Sequence, residues 1–197
     1  MRNQSSRCGR NQGRDAGWPD AVIQEEQGLK LCVCIAVLFP VFLAAGTTSS
    51  LLDMTPPISR LALADLRDTF EEVHNGHRHE AIDILEPRGT PVHAVVSGTI
   101  RKLFLSNRGG STIYQFDEMG SYCYYYAHLD RYVEGLREGM RVERGDVIGF
   151  VGSTGNADAR TPHLHFAIFE LGPERLWWKG KAVNPYPGLV DAVKRAK

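Results

Sequence analysis

The chain carries no net charge and few cysteines, and both facts exclude classes of protein. Its 23 lysines and arginines are balanced by 23 aspartates and glutamates. A neutral chain has no charge-based attraction to a polyanion, so we expect no nucleic-acid partner. Of the four cysteines only Cys123 lies beyond residue 34, so no disulfide can form within the remainder of the chain. A hydrophobic core must therefore stabilise the fold.

Several sequence motifs are missing as well. There is no His-Glu-x-x-His pair, so no glutamate stands as a general base beside two metal ligands on a helix. Residues 145–149 are similar to biotinyl and lipoyl carrier domains, but residues 143–146 contain no lysine that could hold a prosthetic group. Cys32 and Cys34 do not follow the small residues of a lipidation signal. We therefore expect neither a carrier domain nor a lipoprotein.

The longest apolar run extends from Leu31 to Ala45. It is short for a membrane span, which needs about 20 residues, and typical of the core of a signal peptide. The small residues Ala44, Ala45 and Gly46 would suit cleavage by a signal peptidase. The long, charge-balanced segment before the run also fits an uncleaved membrane anchor. Either interpretation predicts that residues from 47 onward are exported across the cytoplasmic membrane and are periplasmic, membrane-anchored or secreted.

The length of the chain allows one sizeable domain with additional segments. The composition changes along the chain and predicts five parts. They are a polar, disordered segment (1–28), a signal core or membrane anchor (29–46), a linker (47–60), the folded domain (61–190) and a C-terminal tail (191–197).

Short apolar segments separated by glycine-rich turns dominate the chain after residue 60. This density of strands and turns predicts an all-β fold, in which antiparallel sheets form an open sandwich or barrel-like domain with few short helices. A short helix from Leu189 to Arg195 is compatible with the sequence. The predicted strands are Ala81 to Leu85, Val92 to Val96, Thr99 to Leu105, Ser111 to Phe116, Tyr122 to His128, Val147 to Val151 and Leu164 to Phe169.

The candidate metal-binding or catalytic side chains are those of His79, Asp83, His128, His163 and His165. On a strand, His163 and His165 project to the same face, because side chains alternate. A catalytic zinc takes three protein ligands and keeps one position for water. Two histidines and the aspartate could supply these ligands, which leaves two imidazoles beside the metal.

The spacing within this set constrains the backbone. Four residues of straight strand would separate His79 from Asp83 by roughly 13 Å, which is too far for both to bind one metal. We therefore place His79 on a loop and Asp83 on a strand. Strict alternation over Tyr122 to His128 would place Tyr126 on the same face as His128 and Cys123 on the opposite face.

The chain resembles the lysostaphin/LytM-type zinc metallopeptidases from about Leu66 to Leu189. The resemblance implies a LytM catalytic domain that binds one zinc through His79, Asp83 and His165, with His128 and His163 as catalytic residues. It also implies hydrolysis of peptide bonds in the cross-links or stems of bacterial peptidoglycan. Its motifs are Leu66 to Phe70, His79-x-x-x-Asp83, Gly89 to Val92, Ser97 to Ile100, Tyr126 to Leu129, Gly145 to Gly149, Gly152 to Gly155, His163 to Phe166 and Asn184-Pro185.

Further observations concern substrate contacts, one departure from the family pattern, and partners. Tyr126 and Thr161 are candidate substrate-binding residues. The chain departs from the family pattern at Glu80, because family members commonly have glycine soon after the first ligand. No obligate protein partner is evident, and 31–45 is the candidate membrane tether.

Two alternatives belong to other classes of function. The first is a non-catalytic LytM-like protein that binds the wall or activates another cell-wall hydrolase. The second is a cysteine hydrolase that uses Cys123 with His128. Alternation along the strand disfavours this second alternative, because a nucleophile needs its base within hydrogen-bond reach.

Overall fold

The computed structural model describes residues 53–74 and 76–197. The predicted disordered segment, the apolar run and the first part of the predicted linker lie outside the described residues. Within these two ranges, no helix has the length and apolar character needed to cross a membrane.

The predicted all-β class is confirmed. Among the described residues, nine strands form one antiparallel sheet, and a separate two-stranded hairpin precedes it. The strands are β1 (Val73–His74), β2 (His77–Arg78), β3 (Ile82–Leu85), β4 (Pro91–His93), β5 (Gly98–Ser106), β6 (Gly110–Asp117), β7 (Tyr122–Tyr132), β8 (Arg141–Val142), β9 (Val147–Val151), β10 (His163–Leu171) and β11 (Gly180–Val183).

Strand β10 organises the sheet around the candidate site. It pairs with β7 on one side and, on the other side, with β3 near its start and β11 near its end. Strands β6, β5 and β8 continue the sheet beyond β7, and β9 also pairs with β7. Asp83, His128 and the pair His163 and His165, predicted on separate segments, therefore lie on the neighbouring strands β3, β7 and β10.

Both faces of the sheet are covered by apolar side chains. The larger core lies on the face that includes Tyr124, Tyr126, Leu164 and Phe166, which are fully buried. The opposite face carries a smaller cluster around Tyr114, Phe116, Cys123, Ala167 and Phe169. The alternation of side chains along β7 and β10 supplies both clusters.

The part of the predicted linker that the structure describes is packed against the domain, so the linker prediction is wrong for residues 53–60. Met54 and Ile58 are buried in the larger core. The Thr55 amide donates to the carbonyl of Val95 at 2.8 Å. The packing follows from the two apolar side chains, which gain more by burial than by exposure on a linker.

The C-terminal helix α1 spans Tyr186–Arg195. It begins three residues earlier than predicted, because Pro187 fits the first turn of a helix, where no backbone donor is needed. Ala192 and Val193 are buried in the larger core. The prediction of a tail from residue 191 is therefore wrong up to Arg195.

Candidate metal centre and flanking histidines

The pairing of β3 with β10 places Asp83 directly opposite His165. Residues that face each other across two antiparallel strands project to the same side of the sheet. Ala127 of β7 lies opposite His165 on its other side. The small side chain of Ala127 leaves room above β7, on the face that also carries Tyr125.

His79 reaches the same point from the loop between β2 and β3, as predicted. The bend that brings it back occurs at Glu80, whose φ is +54°. The ring Nδ1–H of His79 donates to the carbonyl oxygen of Thr69 at 3.1 Å. Because that carbonyl can only accept, the neutral ring has its lone pair on Nε2, which points to Asp83 and His165.

His79, Asp83 and His165, hereafter the metal triad, converge on one point. His79 Nε2 lies 3.0 Å from His165 Nδ1, and Asp83 Oδ1 lies 3.1 Å from both nitrogens. Tetrahedral zinc with bonds of about 2.0–2.1 Å has ligand atoms roughly 3.3 Å apart. The three atoms therefore fit three corners of a zinc coordination sphere, and the donor set of two imidazoles and a carboxylate suits this metal.

The charges of the metal triad favour a cation. Burial would raise the pKa of Asp83, but hydrogen bonds with His165 and His79 lower it well below its usual range. Burial lowers the pKa of His165 against the opposing effect of Asp83. For His79, burial also lowers the pKa, but Asp83 and the Thr69 carbonyl raise it overall. An ionised carboxylate thus faces nitrogens that can accept a metal.

His128 and His163, hereafter the flanking histidines, lie beside the metal triad. Their ring centroids are 4.9 Å apart, and the ring of His128 is 5.6 Å from that of His165. His163 Nδ1 contacts the carbonyl of Thr161 at 2.9 Å, and His128 Nδ1 contacts that of Thr154 at 2.8 Å. A carbonyl only accepts, so Nδ1 of each ring carries a proton, and in the neutral ring the lone pair is on Nε2.

The environment of His128 keeps its ring neutral. Burial, followed by the proximity of His165, lowers its pKa to about 4. Neutral imidazole is the form that can accept a proton near pH 7. The His163 side chain is 13% exposed and its Nε2 lies 3.9 Å from Asp83 Oδ1, so a molecule bound at the metal triad can contact it.

The prediction that Tyr126 and His128 share one face of the strand is wrong. Tyr126 is fully buried, and its hydroxyl donates to Gln115 and accepts from the Val95 amide within the larger core. It cannot contact a substrate, so that prediction is also wrong. His128 turns to the opposite face because its φ of +58° interrupts the alternation of β7.

The same turn changes the argument about Cys123. Alternation predicted that Cys123 faces away from the site. It shares its face with Tyr125 instead, and this is the face that carries the site. Cys123 is nevertheless completely buried, and burial strongly raises the pKa of its thiol. A buried thiol of high pKa is a poor nucleophile, so burial replaces strand direction as the reason for excluding it.

Thr161 remains a candidate substrate-binding residue. Its side chain is exposed at the turn before β10, and its carbonyl accepts the hydrogen bond from His163. Substrate at the flanking histidines would pass close to this turn.

The sequence interpretation missed Thr69, which fixes both ends of the segment that carries two metal-triad residues. Its carbonyl accepts from His79, its hydroxyl donates to the carbonyl of Ala81, and the same hydroxyl accepts from the Asp83 amide. Thr69 lies within the quoted Leu66 to Phe70 motif, so the signal was present. A threonine hydroxyl gives no indication of its partners before the fold is known.

An antiparallel sheet that carries a metal triad and two flanking histidines is typical of a metal-dependent hydrolase. The Peptidase family M23 model matches residues 77–185, and this segment contains all five of these side chains. The chain belongs to peptidase family M23.

Individual relatives show the same resemblance. The chain is 34% identical over 116 residues to the L-Ala--D-Glu endopeptidase of Bacillus subtilis, covering 56% of this chain and 34% of that protein. It is 40% identical over 93 residues to lysostaphin of Staphylococcus simulans, covering 47% and 18%. The chain thus spans about a third or less of the length of these two relatives.

A solved structure agrees with the fold. The catalytic domain of lysostaphin from Staphylococcus simulans superposes with a TM-score of 0.51 at 35% identity. The match covers 59% of this chain and 82% of that domain.

The backbone at Glu80 leads to a prediction about stability. A side chain at positive φ costs roughly 1–2 kcal/mol, whereas glycine adopts this conformation freely and loses about 0.5–1 kcal/mol through unfolded-state entropy. Glu80→Gly should therefore raise the free energy of unfolding by up to about 1.5 kcal/mol, as measured by urea denaturation. Glu134→Gly is the matched control, since Glu134 is exposed without positive φ, and it should be destabilising. Equal losses in both variants would contradict the proposed strain.

Proposed function

We propose that the chain is a zinc endopeptidase that hydrolyses peptide bonds in the cross-links or stem peptides of bacterial peptidoglycan. The observation that carries this proposal is the metal triad with two flanking histidines at one point of the sheet. Non-catalytic relatives of such enzymes would lack part of this set, whereas all five side chains are present here. The name of the Bacillus subtilis relative, L-Ala--D-Glu endopeptidase, supports an endopeptidase, and the solved lysostaphin domain is described as an antimicrobial peptidase.

The metal triad would hold one zinc. Two neutral imidazoles and one carboxylate would leave the site with a net charge of about plus one, so the metal would polarise a carbonyl and acidify a water molecule. The Asp83 side chain is 26% exposed and that of His165 is 20% exposed, so substrate can reach the site.

The flanking histidines would transfer a proton from the attacking water to the departing amine. An unprotonated Nε2 on one ring accepts a proton from the attacking water, whose oxygen then bonds to the scissile carbonyl carbon. The same proton is delivered to the nitrogen of the departing amine as the C–N bond breaks. The second ring would take a proton from solvent before the attack, donate a hydrogen bond from its Nε2 to the developing oxyanion, and keep that proton. Both rings are held for this role by hydrogen bonds to backbone carbonyls.

Peptidoglycan lies outside the cytoplasmic membrane, so the proposed substrate requires export. The apolar run 31–45 is the segment proposed to direct export, either as a cleaved signal or as a tether.

The decisive experiment is digestion of purified peptidoglycan by the zinc-loaded protein, with the released fragments identified by mass spectrometry. We expect new amino and carboxyl termini within the peptides, loss of release with a chelator, and recovery with added zinc. Binding to the wall without release of fragments would favour the non-catalytic alternative. The masses of the fragments identify the bond that is cut.

Cys123→Ala tests the cysteine-hydrolase alternative. Because the thiol is buried and protonated, the variant should retain most of the activity on peptidoglycan, as measured by fragment release. A chelator should still abolish that activity. If the substitution removes hydrolysis from a folded protein while chelation has no effect, the cysteine-hydrolase alternative is correct and the metal mechanism is wrong.

A further inference from the structure

The conformation of His128 requires support from outside its own strand. A histidine at φ +58° is uncommon, and such a conformation persists only where the surroundings determine it. The register of β7 shifts at the same place, between Leu129 and Arg131 against β9, and that of β6 shifts between Ser111 and Ile113. Regular pairing therefore does not hold His128 in position.

Thr154, in the loop after β9, contacts this irregular region through three of its groups. Its carbonyl accepts from His128 Nδ1 at 2.8 Å, and its amide donates to the carbonyl of His128 at 3.4 Å. Its hydroxyl donates to the carbonyl of Leu129 at 2.8 Å and accepts from the amide of Ser111 at 3.0 Å. Since Ser111 and Leu129 are register partners, the hydroxyl lies between two groups that a regular ladder would join directly.

The close approach of two loops, the turn between β5 and β6 and the loop after β9, depends on glycine. A Cβ on Gly110 would lie 2.1 Å from Thr154 Oγ1, and a Cβ on Gly155 would lie 2.3 Å from the carbonyl oxygen of Arg108. Both glycines also have positive φ, at +63° and +76°. The backbone of one loop thus contacts the backbone of the other, which leaves Thr154 little freedom to move.

We infer that Thr154 is a positioning residue for His128: its hydroxyl holds the opened strands, and its carbonyl fixes the tautomer that directs Nε2 to the metal centre. This inference rests on the proposed function, because it assigns His128 to proton transfer. Loss of the hydroxyl would leave the Ser111 amide and the Leu129 carbonyl without this partner, and the loop would shift. A displacement of about 1 Å at a catalytic group is sufficient to lower the rate by about a hundredfold.

The test compares three variants of the zinc-loaded protein. Thr154→Val removes the hydroxyl and keeps the shape, Thr154→Ser keeps the hydroxyl, and Thr112→Val is the matched control. Thr112 is buried, and its hydroxyl donates to a different carbonyl, that of Phe104, at 3.0 Å. We expect Thr154→Val to lower kcat about 10- to 100-fold with full zinc content and nearly unchanged KM. Thr154→Ser should restore most of kcat, and Thr112→Val should lose stability but not kcat.

Three results would overturn the inference. They are a wild-type kcat in Thr154→Val, an equal loss of kcat in Thr112→Val, or no recovery in Thr154→Ser. If Thr154→Val does not fold, Thr154→Ala removes the same hydroxyl without a branched side chain and takes its place in the comparison.

A spectroscopic measurement separates this inference from the proposed function. The ¹⁵N chemical shifts of the His128 ring report which nitrogen carries the proton and need no substrate. We expect the Nδ1–H tautomer in the wild type and in Thr154→Ser, and a mixture of tautomers in Thr154→Val. If the wild type does not cleave peptidoglycan, the proposed function fails while this measurement still decides the role of Thr154. Identical shifts in all variants would overturn that role.

Discussion

Asp83→Ala and His165→Ala are each expected to lose zinc and peptidoglycan hydrolysis together. Each substitution removes one of three atoms that lie 3.0–3.1 Å from one another. Zinc affinity should fall by more than the roughly 10- to 100-fold typical of losing a hydrogen bond to a ligand. Metal analysis after dialysis measures the first effect, and fragment release from purified peptidoglycan measures the second.

His77→Ala is the control for this experiment. His77 lies two residues before His79 on β2 and is exposed, so its loss should leave zinc content at one per chain. Full zinc occupancy in both Asp83→Ala and His165→Ala would show that the metal triad is not the metal site.

His128→Ala and His163→Ala are expected to keep zinc and lose rate. Neither ring belongs to the metal triad, and Nδ1 of each ring is hydrogen-bonded to a backbone carbonyl, so Nε2 is the atom available to a substrate. Removal of a general acid or base typically costs on the order of a hundredfold or more in turnover. Turnover of a soluble cross-link peptide, with zinc content and binding to intact wall determined on the same samples, measures the separation of roles.

The comparison that decides this second prediction is with His165→Ala. If either flanking-histidine variant loses zinc as completely as His165→Ala, that histidine is a metal ligand. If either variant retains wild-type turnover, it does not take part in proton transfer. A difference in pH dependence between the two variants would show which ring accepts the proton from water.

The strand predictions succeeded where a segment was long enough to show its period. The predicted strand Val147 to Val151 has the observed bounds, and the predicted strand Ala81 to Leu85 differs from the observed one by a single residue at its start. Strands β1, β2, β8 and β11 contain two to four residues each and were missed. So few residues show no period, and their pairing is imposed by the neighbouring strands.

The convergence of the five side chains was predictable from spacing and from the resemblance, but their orientation was only partly predictable. The loop position of His79 followed from the distance to Asp83. The direction of His128 did not follow from alternation, because a backbone angle at a single residue reversed it. That angle depends on Thr154, which is 26 residues away in the sequence, and no local pattern in β7 records it.

The packing of residues 53–60 limits how far the catalytic centre could lie from a membrane. Asp53 forms an ion pair with Arg144 at 2.7 Å, and the Met54 carbonyl accepts from Arg195 at 2.9 Å. If the run 31–45 remained as an anchor, residues 46–52 alone would join it to the domain, with a maximum reach of about 25 Å. An anchored form would therefore act on the layer of wall nearest the membrane, whereas a cleaved form could diffuse through its full depth.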